Sequence, residues 1–291
     1  MAPVRARPHL WAMALRDTIR DEIHRLVGAG QMRLEREPGD PGLFGPGSVA
    51  WTVHADFAAM MMGGVAALLT QMLHPGALAG VWDHSDWAHN PAGRLKRTAQ
   101  FVAATTYAGL PQADAQIARV RAIHDHVAGT LPDGTPYSAN DPALLTWVHV
   151  AEADCFLRAN LAYREPGMPG ARQDRYLAEM AVLARRMGAT DVPESRRAMA
   201  AYFRDVRPQL RYDERTQAVA TALLEQPATN GATAGVQAVL LQAGIALMQP
   251  WAATLHGRAT TALRRPAIQF GAGATAEVLR WALATPQRAR T

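Results

Sequence analysis

Helical patterning runs through almost the whole chain and constrains the fold more than any other feature of the sequence. No segment alternates apolar and polar residues over a convincing length, so no strand–turn–strand unit is predicted. The predicted helices are 10–27, 56–73, 92–108, 112–128, 141–163, 172–188, 194–206, 212–225, 233–248 and 271–283. The pattern predicts an all-α fold, a single multi-helix globular domain with apolar helices buried around a pocket.

Local signals place several ends of these helices. Asp141 before Pro142 supplies a capping carboxylate and a proline at the first helical position, which predicts a helix start. Segment 191–194 (DVPE) has a similar arrangement and predicts another start. Glycine tolerates the left-handed conformation that ends many helices. Helix ends are accordingly predicted at Gly109, Gly129 and Gly188.

The domain organisation follows from length and composition. A chain of 291 residues is long enough for about two domains or one large helical domain. Apolar residues make up 49% and charged residues 19%, which is typical of folded globular proteins. No internal repeat or low-complexity linker divides the sequence. We predict a helical lead-in over residues 1–40, one all-α domain over 41–285 and a tail over 286–291.

Cysteine content and charge exclude several classes of protein. Cys155 is the only cysteine, which excludes an internal disulfide framework and a zinc site with two or more cysteine ligands. A reduced, cytoplasmic protein is expected. The net charge is +5, but the arginines are spread along the chain and no nucleic-acid-binding motif appears. No nucleic-acid partner is therefore predicted.

Two long segments lack charged side chains, and neither predicts an integral membrane span. Segment 57–71 is shorter than the roughly 20 residues that a spanning helix needs. Segment 226–255 is interrupted by polar residues and a proline, which are Gln237, Gln242, Gln249, Asn230 and Pro250. A helix that is apolar all round is usually buried in a large core, and that interpretation is preferred for both segments.

Histidines are the most informative polar residues, and seven of the ten lie between positions 54 and 149. His149 and Glu152 are one helical turn apart and could share a metal ion, but no second pair has matching spacing. His124 and His126 point about 200° apart on a regular helix, so they cannot bind one ion together. No G-x-S-x-G elbow or strand-preceded phosphate loop appears. A haem group remains possible, since it needs one imidazole, an apolar slot and cations for its propionates.

Several segments together resemble one family of proteins. The similarity is strongest over about residues 40–210 and lies in FGPGSVAW (44–51), HPGALAGVWDHSDW (74–87), GRLKRTAQFV (93–102), RAIHDHVAG (121–129), LPDGTPYSANDPALLTWVH (131–149) and RYLAEM (175–180). These segments are similar to the haem oxygenases that include latex clearing protein and the oxygenase that cleaves a farnesyl chain in mycophenolic acid biosynthesis. The resemblance implies an oxygenase that binds haem b.

The resemblance also implies roles for particular residues. The family's axial haem ligand is the histidine of a His-x-x-Val segment, which matches His124 and makes it the predicted iron ligand. The family's distal Arg-x-x-Lys-Thr signature matches Arg94, Arg97 and Thr98, which are predicted as catalytic residues. Arg94 and Thr98 would shape the distal face and stabilise developing negative charge. Arg97 would do likewise or pair with a propionate.

This sequence departs from the rubber-cleaving members at the distal position. Arg97 stands where they have a lysine, and arginine does not readily lose a proton to bind iron. Either the distal position is open or water-filled, or another residue approaches it. Lys96 lies about 100° round the helix and is not a substitute. The family's catalytic glutamate has no clear counterpart, and Asp83 and Asp86 are the nearest acids.

The remaining site residues are assigned more generally. Arg94, Arg121 and His149 are predicted to contact the cofactor together with His124. His149 and His84 belong to the family pattern and are interpreted first as hydrogen-bonding residues. The helices at 56–73 and 233–248 are expected to line an apolar pocket beside the haem. A pocket lined by charged side chains would contradict that expectation.

The predicted function is that of a haem b-dependent oxygenase that uses dioxygen on an apolar small molecule. Oxidation or cleavage of a carbon–carbon double bond in an isoprenoid, a lipid or a biosynthetic intermediate is the favoured reaction. Two alternatives stay open. One is other haem chemistry on the same scaffold, such as peroxidation, hydroxylation or rearrangement. The other is a haem carrier or sensor without enzymatic activity.

Overall fold

The structure, a computed structural model, describes residues 16–23, 33–88, 90–228 and 231–284. Helices dominate the described ranges, and the prediction of an all-α domain is confirmed. The helices are α1 Val49–His54, α2 Phe57–Gln71, α3 Pro75–His84, α4 Pro91–Tyr107, α5 Leu110–His124, α6 Pro142–Tyr163, α7 Gly170–Met187, α8 Arg196–Val206, α9 Glu214–Leu224, α10 Gly231–Leu247, α11 Pro250–Leu255 and α12 Arg265–Leu283. A short antiparallel hairpin pairs β1 Ala128–Thr130 with β2 Pro136–Ser138.

The hairpin corrects the expectation that the chain has no strand–turn–strand unit. The predicted helix 112–128 ends at His124, and Gly129 lies in β1, where it pairs with Tyr137. A Cβ at Gly129 would come within 2.8 Å of the Tyr137 hydroxyl, so the close pairing requires glycine there. Each strand has only three residues, which is too short for a visible alternation of apolar and polar positions.

Helix ends agree with some signals and not with others. Asp141 caps α6 by accepting hydrogen bonds from the amides of Ala143 and Leu144, as predicted. Gly188 ends α7 with φ +108°, also as predicted. The predicted start at 191–194 is wrong, because Ser195 caps α8 instead. Gly109 precedes α5 as its N-cap rather than ending a helix.

Three short helices were missed, and one long helix starts earlier than predicted. They are α1, α3 and α11, each of ten residues or fewer, which is too short for a clear helical period. α3 separates from α2 because His74 caps its first turn and Pro75 occupies the first helical position. α12 begins at Arg265 rather than at residue 271.

The centre of the domain is an antiparallel pair formed by α2 and α6. At one end the Trp147 indole donates to the Gln71 carbonyl at 3.0 Å, and the Gln71 amide donates to the Val148 carbonyl at 2.9 Å. At the other end Arg280 of α12 donates both to Asp56, the N-cap of α2, and to the Tyr163 carbonyl. The apolar helix predicted at 56–73 is therefore a core helix.

Two neighbouring glycines of α2 are expected to respond oppositely to alanine. A Cβ at Gly63 would lie 2.9 Å from the Phe156 ring and 3.1 Å from the Cys155 carbonyl, whereas one at Gly64 would meet nothing within 4 Å. Gly63→Ala should destabilise the protein by about 1–3 kcal/mol through overpacking. Gly64→Ala should stabilise it by up to about 1 kcal/mol through helix propensity. Urea unfolding of both variants tests this, and equal shifts would contradict the close α2–α6 approach.

In the described ranges, no single helix is both long and apolar enough to cross a bilayer. α2 and α3 meet the length and composition criteria only as a pair, and the chain bends by 103° between them.

The lead-in and tail predicted at 1–40 and 286–291 lie largely outside the described residues. Within 33–40, the chain is joined to the main body by a hydrogen bond from the Gly109 amide to the Glu35 carbonyl at 2.8 Å. The division of the chain at these boundaries stays a prediction.

Candidate functional site

A pocket of about 310 Å³ opens where the last turn of α2 meets the first turns of α6. α3, α4, the end of α5 and α9 also contribute to its walls. Most lining side chains are apolar, and they include Leu68, Met72, Val81, Leu144, Val148, Val219 and Leu223. Its described lining contains two imidazoles but no carboxylate, lysine or arginine. The expectation of an apolar pocket without charged walls is met.

The walls come only partly from the helices that the sequence indicated. α2 lines the pocket through Leu68 and Gln71, as expected for the segment 56–73. The segment 233–248 was expected to line it too, and this is wrong for the described residues. That segment forms α10, which packs against α2 so closely that a Cβ at Gly244 would lie 2.6 Å from Val65. α9 takes its place through Val219, Ala222 and Leu223.

His124 is the last residue of α5 and lies in the pocket wall beside Val127. Its Nδ1 atom is buried, and it has no hydrogen-bond partner within the described part of the chain. Burial lowers the pKa of the imidazole, and the neighbouring Asp125 opposes that shift only in part. His124 is therefore a neutral imidazole at pH 7 in the pocket wall, whereas His126 is exposed.

A hydrogen-bonded network fastens the hairpin to α3 at the pocket. The His84 Nε2 atom lies 3.2 Å from both the Ala128 carbonyl and the Tyr137 hydroxyl. That hydroxyl donates to Asp83 at 2.6 Å, and burial together with Asp83 raises the pKa of Tyr137 to about 12. The hydrogen-bonding role predicted for His84 is confirmed, and its ring also lines the pocket. Trp87 extends the same wall and stacks on Trp82 at 4.8 Å.

The residues predicted for the distal face are not all brought together. Thr98 lines the pocket, whereas Arg97 is exposed and is not part of the described lining. The two positions are adjacent on α4, so their side chains point about 100° apart. The Arg94 side chain lies outside the described residues. The catalytic roles of all three stay predictions.

The other two predicted cofactor contacts lie away from the pocket lining. Arg121 is exposed, and its guanidinium donates to the Arg186 carbonyl at 3.0 Å. His149 follows the lining residue Val148 on α6, and burial lowers its pKa to about 4. Their contacts with a cofactor stay predictions, and the structure gives Arg121 a different partner.

A buried polar cluster that sequence reasoning missed lies between α1, α4 and α7. The His54 ring is 2.8 Å from the Thr106 hydroxyl and 3.1 Å from the Tyr176 hydroxyl. Glu152 of α6 adds a nearby carboxyl whose pKa burial raises to about 7. The sequence offers one indication of this cluster, which is His54 as a single histidine within the apolar stretch WTVHADF.

The alternative of a metal ion bound by His149 and Glu152 is not supported. Across the described ranges, no three histidine, cysteine, aspartate or glutamate side chains group closely enough to hold a metal ion. A stable protein site of this kind needs more ligands than one such pair provides.

Acidification is expected to destabilise the protein through His54. Burial, together with His149, lowers the pKa of His54 from 6.5 to about 3, so below about pH 6.5 the unfolded chain takes up a proton that the folded chain does not. The free energy of unfolding should fall by about 2 kcal/mol between about pH 6.5 and pH 5 through this group alone. In urea unfolding, His54→Gln should show a weaker pH dependence. An unchanged dependence, equal to that of the exposed control His126→Gln, would contradict the assignment.

Comparison with known proteins gives one match. A family model described as "ER-bound oxygenase mpaB/B'/Rubber oxygenase, catalytic domain" matches residues 51–281, about four fifths of the chain. No curated protein and no solved structure matches the chain. The matched range includes every described residue that lines the pocket, and the resemblance noted in the sequence is confirmed. The chain therefore belongs to the mpaB and rubber oxygenase catalytic-domain family.

Proposed function

We propose that this oxygenase-family protein depends on haem b and oxidises an apolar small molecule with dioxygen. The observation that carries the proposal is the position of His124. Its imidazole stands in the wall of an otherwise apolar pocket, with a buried ring nitrogen that has no described partner. Since burial keeps this imidazole neutral, it is the kind of nitrogen donor that haem iron needs.

The residues around the pocket fit a haem group. Haem requires one neutral imidazole and an apolar slot, and His124 with Leu68, Met72 and Val148 offers both. His124 would hold the iron, and Arg97 of α4 would pair with a propionate. When bound, haem supplies the redox-active iron that lets an oxygenase use dioxygen.

The pocket's own side chains define what the substrate can be. Apart from its two histidines, the described lining has no side chain that can carry a charge. It therefore offers no partner for a charged substrate. The apolar walls exclude water and favour a hydrocarbon chain or ring. Thr98 places a hydroxyl on the wall, where it can hydrogen-bond a polar atom that develops negative charge.

The residue at the distal position favours a small substrate over a polymer. Arg97 replaces the lysine that the rubber-cleaving members carry at the matching position. A double bond in an isoprenoid, a lipid or a biosynthetic intermediate is therefore the proposed target.

The test begins with the purified full chain. Its haem content is measured by absorption and the pyridine test, and oxygen uptake is measured with unsaturated terpenoids and lipids beside their saturated analogues. The proposal expects a Soret band and uptake with an unsaturated substrate only. A Soret band without oxygen uptake on any of these substrates would favour a haem carrier or sensor. Turnover with peroxide but not with dioxygen would favour a peroxidase. A chain that takes up no haem would refute the proposal.

A further inference from the structure

The connection between α11 and α12 presents apolar side chains directly to solvent. It is defined here as the 258–270 segment, RATTALRRPAIQF, which includes the first turns of α12. Leu263 is 92% exposed and Phe270 is 81% exposed. Large side chains this exposed are costly in water and mark contact surfaces when they group together.

Charge on this segment has a single sign. Arg258, Arg264 and Arg265 lie within it, and no aspartate or glutamate occurs from Leu255 to Ala276. Among the described ion pairs, none involves these three arginines. The surface therefore combines exposed apolar groups with a local positive charge that only an anionic partner complements.

The 258–270 segment begins at the end of the domain where the pocket lies. His256, just before it, bonds through Nε2 to the Leu69 carbonyl at 2.8 Å in the last turn of α2. The neighbouring Leu68 lines the pocket. Near the far end of α12, Arg280 reaches Asp56 at the start of α2. The pocket and the 258–270 segment thus share one end of the central helices.

We propose that the 258–270 segment docks the protein on an anionic lipid bilayer. Leu263 and Phe270 enter the interface, and Arg264 and Arg265 contact the lipid phosphates, which is the composition that interfacial membrane-binding segments use. A second copy of this chain is disfavoured as the occupant, because two such segments would repel each other and the whole chain carries +5. The proposal is independent of the haem and oxygenase assignment.

Vesicle sedimentation of the full chain tests the proposal. Vesicles of phosphatidylcholine alone are compared with vesicles of phosphatidylcholine and phosphatidylserine. The protein should bind the anionic vesicles, and high salt should weaken binding because it screens the charges. Arg264→Gln/Arg265→Gln should lower the partition coefficient about 30-fold, and Leu263→Ser/Phe270→Ser about tenfold or more.

Matched controls separate docking from net charge and from folding. Arg197→Gln/Arg204→Gln removes the same charge from exposed positions on α8, and Val182→Ser removes a side chain that is 39% exposed on α7. Both controls should bind like the parent chain, and circular dichroism should show helical structure in every variant. Absence of binding to anionic vesicles, equal binding to neutral vesicles, or equal losses in the controls would overturn the proposal. So would self-association that the Leu263 and Phe270 changes abolish without any vesicle binding.

Discussion

Replacing His124 with alanine is expected to remove haem from the purified protein and to abolish oxygen uptake. His124, the proposed iron ligand, is the one imidazole of the described pocket wall that has a buried ring nitrogen without a described partner. Loss of outer-shell partners alone weakens a metal site about 10- to 100-fold, so loss of the ligand itself should weaken haem binding by more than about 100-fold. Haem titration followed at the Soret band measures the effect.

His126, two residues from His124, provides the control for this experiment. His126 is exposed, and His126→Ala should bind haem like the parent chain. His124→Gly with added imidazole adds a second check, because free imidazole can occupy the space and restore the Soret band in a folded variant. Undiminished haem binding by His124→Ala would disprove the ligand assignment, whatever the activity of the protein.

Replacing Arg280 with methionine is expected to cost about 3–5 kcal/mol of unfolding free energy. Arg280 pairs with Asp56, whose side chain is only 4% exposed, and it also donates to the Tyr163 carbonyl at 2.7 Å. Without Arg280, the Asp56 carboxylate at the start of α2 would stay buried without its cation. Urea unfolding at neutral pH measures the loss.

A double-mutant cycle tells whether the cost comes from the uncompensated charge. Asp56→Asn retains an oxygen that can cap α2, and in that background Arg280→Met should cost clearly less. Arg175→Met removes a surface partner of Glu179, with Arg175 64% exposed, and should change stability by less than about 1 kcal/mol. Equal costs of Arg280→Met in both backgrounds would reject the buried-pair explanation.

Local patterns predicted those parts of the fold that depend on neighbours in sequence. The charge-free segment 57–71 is apolar all round, and it becomes the central helix α2 because no face of it is suited to water. Asp141 and Gly188 act as helix ends for reasons contained within a few residues. The hairpin at 128–138 escaped prediction because its strands are short and its pairing depends on contacts with α3.

Only some of the pocket walls could be predicted from the sequence, because the walls come from segments far apart in the chain. α2 was expected there, but α9 rather than α10 completes the wall. Arg97 and Thr98 are adjacent in sequence, and only the packing of α4 decides that Thr98 faces the pocket. The His54 cluster likewise joins residues 52 and 122 positions apart, which no local period can reveal.

The sequence by itself determined the helical fold, the family and the choice of His124 as the candidate ligand, because periodicity, capping and motif order are properties of consecutive residues. The tertiary structure decided which side chains share the pocket, which histidines are buried neutral, and that Leu263 and Phe270 stay in solvent. Those outcomes depend on which surfaces the helices bury against each other, and close packing settles that over the whole chain at once.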